Sequence, residues 1–240
     1  MKLKSVLLAS IGFVLSSCMQ GQAEQYKNDD FIIESAVVNY HSDLDLLIWD
    51  IIVQGQAGAT TPQKLGQLDG APVLGYVFPT TLSPSAVGFG NAEGILALAL
   101  TSHPDFDDTP LWDENSDSNY GNDGIIWHPH WVVLQQDNRV AGGFSVIQFK
   151  SADEVTLPPT NPGMPMYMDS PGFPVTTNNN RIRVSVPAYR MSNKTKFNFD
   201  ALTAYMQVNT SKEDKPMLGV YGVYSILSKD LSLPFKVTNK

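Results

Sequence analysis

The sequence predicts an all-β fold: a single-domain β-sandwich, jelly-roll-like, with long loops. Two observations predict it. Short runs of β-branched and aromatic residues recur along the chain, each bounded by Gly, Pro or Asn, as strands and turns require. No internal repeat of roughly 20–50 residues and no heptad pattern competes with that reading. The roughly 220 residues after the leader are enough to enclose a sizeable core in one domain.

The elements follow in order. Phe31 to Tyr40 (FIIESAVVNY) reads as the first strand. Asp43 to Val53 (DLDLLIWDIIV) starts in alternation and becomes continuously apolar, the pattern of a buried strand. Ile48, Ile51, Ile52 and Val53 disfavour a helix there. Gly55 to Gly70 is loop, Val73 to Phe78 a short strand, and Pro79 to Pro84 a turn. Gly94 to Thr101 (GILALALT) is an apolar strand leading straight into His103. In the strand from Gly124 to Leu134, period two puts Trp127 and Trp131 on one face and His128 and His130 on the other. Pro129 donates no ladder hydrogen bond, so it predicts an edge position or a bulge. Gly142 to Phe149 returns as the partner strand, with Asp137-Asn138 in the turn. Leu157 to Val175, with six prolines and three methionines, reads as a long surface excursion. Arg181 to Tyr189, Phe197 to Val208 and Leu218 to Leu227 complete the strands. A short helix around Ala201 to Met206 is the alternative for the middle one.

Residues 1–17 stand outside this fold. Lys2 and Lys4 precede a mostly apolar run from Val6 to Leu15, too short to span a bilayer as a mature helix and suited to a secretory signal. The run ends Leu15-Ser16-Ser17-Cys18, which resembles the lipobox of bacterial lipoproteins. The resemblance covers the leader alone. It implies cleavage before Cys18, lipid on the sulfur and on the new amino terminus, and an extracytoplasmic domain with the membrane as partner. Met19 stands where an Asp often signals inner-membrane retention, so the outer membrane is favoured over the inner. Residues 18–30 then read as a flexible tether ahead of a domain at 31–240. Cys18 is the only cysteine, so the domain holds no disulfide, thiolate ligand or cysteine nucleophile.

Charge is unevenly spread. Formal net charge is -8, and between Lys64 and Arg139 ten acidic residues fall with no basic one. Nucleic acid, whose phosphates demand a basic face, is excluded as a partner. The segment from Thr101 to Leu134 holds three of the four histidines and seven carboxylates. It reads as a cation site.

Within it, His128 and His130 point the same way on a strand and can chelate one ion. His103 is the natural third ligand and His41, at the end of the first strand, a fourth; Asp105 could ligate or orient an imidazole. Histidines bonded to backbone or carboxylates are the alternative. In a second pattern, Asp113, Asn115, Asp117 and Asn119 place oxygens at alternate positions, as in the first half of an EF-hand-type calcium loop, with Asp123 available to complete it. Ser118 and Gly124 stand where that loop needs Gly and Glu, so a bare calcium loop or a solvated turn remain. Met164, Met166 and Met168 alternate, which suits Cu(I) or simple packing. Trp112 and Tyr120 are candidates for stacking on sugar. No nucleophile elbow and no phosphate loop occurs, and no organic cofactor is evident.

The expectation is a lipid-anchored protein that binds a divalent metal, calcium or zinc or copper, through residues 101–134, and presents a surface to a carbohydrate or protein ligand. A metal-dependent enzyme using the histidines and a calcium-stabilised carbohydrate-binding module are the alternatives.

Overall fold

A computed structural model describes residues 21–63, 67–103, 127–150 and 152–240. Their strands are β1 (Ile33–His41), β2 (Leu46–Val53), β3 (Pro72–Pro79), β4 (Ile95–Ser102), β5 (His128–Gln136), β6 (Phe144–Val146), β7 (Met168–Asp169), β8 (Val175–Asn178), β9 (Arg181–Pro187), β10 (Asn198–Phe199), β11 (Leu202–Val208), β12 (Leu218–Ile226), β13 (Phe235–Lys236) and β14 (Thr238–Asn239). The class is all-β. One layer of the sandwich is a barrel. Strands β4, β3, β11, β12, β6 and β5 pair in that order, β5 pairs back onto β4, and β7 adds beside β5. The other layer is an open sheet in the order β14-β1-β2-β9-β8.

Period two decides what fills each space. Leu74, Tyr76 and Phe78 of β3, Leu96, Leu98 and Leu100 of β4, and Trp131 and Val133 of β5 share one core. Leu47, Trp49, Ile51 and Val53 of β2 join it with Ile182, Val184 and Val186 of β9. Trp49 and Trp131 meet edge-on there, with ring centroids 5.9 Å apart. The alternate residues, among them Val73, Val77, Ala97, Ala99, Val132, Ala204 and Met206, form a second core inside the barrel. Strands β3 and β4 thus bury apolar side chains on both faces, which is why they lack polar alternation in the sequence. Strand β11 instead keeps Thr203 and Gln207 on one face, buried and hydrogen-bonded to the Phe31 and Gly70 carbonyls.

Two expectations need correction. The proline-rich segment is not a surface excursion. Met166, Met168 and Phe173 are buried, and Met168–Asp169 pairs with Trp131 and Val132 as β7. Prolines limit its ladder without preventing burial, and its methionines pack in the barrel core. The strand reading of the segment Phe197 to Val208 holds over its short helix alternative, because Leu202 to Gln207 pairs with β3 on one side and β12 on the other.

Residues 21–30, finally, are not a free tether. Ala23 and Tyr26 are buried, the Tyr26 ring stacks on Tyr205 at 5.8 Å, and the Gln207 amide donates to the Gln22 carbonyl oxygen. This segment covers the outer side of β11, whose Tyr205 would otherwise face water. Cys18 lies outside the described residues. No helix among the described residues is long and apolar enough to cross a membrane.

Candidate metal centre

The antiparallel register of β4 and β5 builds the site. Thr101 lies opposite His128 and Ala99 opposite His130. Ala99, Thr101 and His103 form one row by period two, and His103 continues it one residue past the end of β4. His128 and His130 form the matching row on β5. Pro129 interrupts nothing: it lies opposite Leu100 of β4, while β6 and β7 pair with β5 only from Trp131 onward. The missing N–H therefore falls at an edge, as its chemistry demands. Just ahead, Trp127 is pinned by its ring against Tyr76, centroids 4.8 Å apart, and by its indole N–H donating to the Gly58 carbonyl at 2.9 Å.

Three imidazoles meet as a result. His103, His128 and His130 are only 2%, 5% and 3% exposed. One donor atom from each lies within 4.8 Å of the other two. Nε2 of His103 and Nε2 of His128 are 2.9 Å apart, and the His128 ring stands edge-on to both neighbours. Tetrahedral zinc–imidazole bonds of about 2.0–2.1 Å put ligand nitrogens about 3.3 Å apart. His103 and His128 therefore need to separate by only a few tenths of an ångström to share an ion. Without one, the contact requires an N–H on one ring and a lone pair on the other.

Ser170 completes the support. Its Oγ is 3.0 Å from His130 Nδ1. An Nδ1–H donated to Ser170 fixes the tautomer in which His130 Nε2 offers its lone pair to a metal. Beside it, burial pushes the Asp169 carboxyl up from its ordinary range, while the Thr160 hydroxyl donates to it at 2.7 Å. Neutral nitrogen donors suit zinc or copper, whereas calcium demands a shell of oxygens.

Not every candidate joins this group. His41 ends β1 in the open sheet, opposite Leu46, beside a cleft lined by Asp50, Arg181, Arg183 and Lys240. It is no fourth ligand: β1 belongs to the other layer, so its end does not meet those of β4 and β5. Asp105, Trp112, Asp113, Asn115, Asp117, Asn119, Tyr120 and Asp123 lie outside the described residues. Two residues at the site were not foreseen. Thr101 was available from its parity with His103. Ser170 carried no signal, because it arrives on the proline-rich segment, whose path only tertiary packing sets. No protein-family model, no curated protein and no solved structure matches this chain.

Proposed function

We propose that this chain is a metal-binding protein in which His103, His128 and His130 hold one divalent transition ion, zinc or copper. The single observation behind this reading is the convergence of three buried imidazoles. Asp105, two residues beyond His103, is the further donor the sequence offers. Lipid on Cys18, from the lipobox resemblance, would hold the protein outside the cytoplasm, on the outer membrane in preference to the inner.

A metal-dependent enzyme is the second reading. The ligand count favours it, since catalytic zinc sites use three protein ligands and structural sites four. Binding comes first because it requires only the convergence of the three imidazoles, whereas a reaction requires a placed base and substrate as well. The trio lends no support to a calcium-stabilised carbohydrate-binding module.

Metal content measured on the purified chain after equilibration with zinc tests the proposal. One equivalent is expected, and His128→Ala and His130→Ala should each lose it. Undiminished content in both variants would reject the site. Fractionation of the same cells tests the anchor: Cys18→Ala should leave the membrane fraction, and its retention there would contradict lipidation.

A further inference from the structure

The outer face of the open sheet carries a charged group of its own, in the other layer from the histidines. Val37 of β1, Asp50 of β2, Arg183 of β9 and Thr176 of β8 lie side by side across four strands. Period two puts Arg181 and Ser185 on the same face as Arg183. Asp50 is 3% exposed. Arg183 donates to its Oδ2 through Nε at 3.1 Å and Nη2 at 2.6 Å. Arg181 donates to the same oxygen through Nη1 at 2.6 Å.

One guanidinium neutralises one carboxylate, and Arg183 already meets Asp50 along its Nε–Nη2 edge. Arg181 brings a second positive charge to that oxygen, and like charges this close repel. Pairing with Asp50 therefore gives no reason for both arginines. Arg181 uses only Nη1 there. Its own Nε and Nη2, a fork that fits two oxygens of an anion, have no partner among the described residues. Its side chain is 39% exposed, so the fork is open to a ligand.

With Ser185, Thr176 and Lys240, the two arginines line a cleft of about 560 Å³, to which Val37 and Ile48 give an apolar wall. Small-molecule sites span about 300–1,000 Å³, so the cleft holds a charged group and part of the molecule that carries it. Asp50 cancels only one of the two guanidinium charges. The cleft thus keeps a positive excess in a chain whose formal net charge is -8.

We infer that this cleft binds the phosphate group of a small molecule. The free edge of Arg181 takes two phosphate oxygens, and the Ser185 and Thr176 hydroxyls and Lys240 stand on the same cleft to serve the others. Donors on several strands suit a tetrahedral anion, whereas a planar carboxylate would use the Arg181 edge alone. Asp50 is a positioning residue that holds both guanidinium groups over the sheet. The phosphate belongs either to a soluble molecule or to a phospholipid headgroup, which present the same chemistry. No metal takes part, so the inference stands apart from the histidine site.

The test is ¹⁵N NMR of the arginine Nε–H signals in the full chain, titrated with inorganic phosphate at constant ionic strength. The chain has four arginines: Arg139, Arg181, Arg183 and Arg190. The signals of Arg181 and Arg183 should shift saturably, with a dissociation constant on the order of 1 mM, while the other two stay in place. Acetate should bind about tenfold more weakly. Arg181→Gln leaves Arg183 to neutralise Asp50 and should weaken phosphate about tenfold. Arg181→Lys keeps the charge without the fork and should also weaken it; this variant decides if the glutamine one fails to fold. Dihexanoyl phosphatidylglycerol below its micelle concentration identifies the source. Binding tighter than inorganic phosphate assigns a lipid headgroup, and weaker binding assigns a soluble phosphorylated molecule. Shifts that never saturate, equal movement of all four arginine signals, or acetate binding as well as phosphate would overturn the inference. So would an Arg181→Lys variant that binds phosphate as well as the parent.

Discussion

At the scale of single residues, the site depends on who holds each imidazole in place. His103 and His128 touch each other through Nε2, and His130 leans on Ser170. Partners of this kind fix the ring and its tautomer, and losing one typically weakens metal binding about 10–100-fold. Ser170→Ala should therefore weaken zinc binding by that factor while leaving the stoichiometry at one. An affinity equal to the parent's, by competition with a chromophoric chelator, would remove Ser170 from the support. The histidines themselves were legible, because a His-x-His pair on a strand must share a face. Ser170 was not, because nothing in Met168-Asp169-Ser170-Pro171 marks it as a neighbour of His130. His41 misled for the opposite reason: it too ends a strand, but in the other layer.

Among elements, the β5–β6 connection is held by a charged side chain. Asp137 accepts from the Arg139 guanidinium at 2.6 Å and from the Ser145 hydroxyl at 2.7 Å, and the Asp137 N–H donates to the Gly143 carbonyl. The guanidinium holds the Asp137 carboxyl well below the usual carboxylate range. A folded-state value below the unfolded one of about 3.9 stabilises the fold fully above that pH. The benefit is then lost as pH falls towards the folded value. Asp137→Asn should therefore flatten the fall in thermal midpoint between about pH 4 and pH 2. An acid limb as steep as the parent's would show that other groups govern it. Asp137-Asn138 announced this turn in the sequence, although the loop runs from Asp137 to Gly143 rather than being a tight two-residue turn. The strands β1 to β5, β9, β11 and β12 were legible as apolar runs between breakers. The short β7 was not, since prolines hid a segment whose methionines the barrel buries.

For the whole molecule, two apolar spaces back to back explain both the architecture and the site. One lies between the layers and is packed with aromatic rings. The other lies inside the barrel, where small residues such as Ala97, Ala99 and Ala204 leave room and methionines fill part of it. The barrel's closure was not readable from the chain, because it depends on β5 pairing back onto β4, a long-range match that local periodicity does not encode. Closure is nonetheless what makes the histidines a site. It turns one face of β4 and β5 inward and removes His103, His128 and His130 from water together. The contacts to β11 begin at Gln22, four residues beyond Cys18, so a lipid there would tether the β11 wall within about 14 Å of its attachment point. The most direct measurement of the central claim is X-ray absorption at the metal edge of the zinc-loaded full chain. The account predicts three imidazole nitrogens at about 2.0–2.1 Å. An all-oxygen shell, or zinc lost on gel filtration, would contradict it.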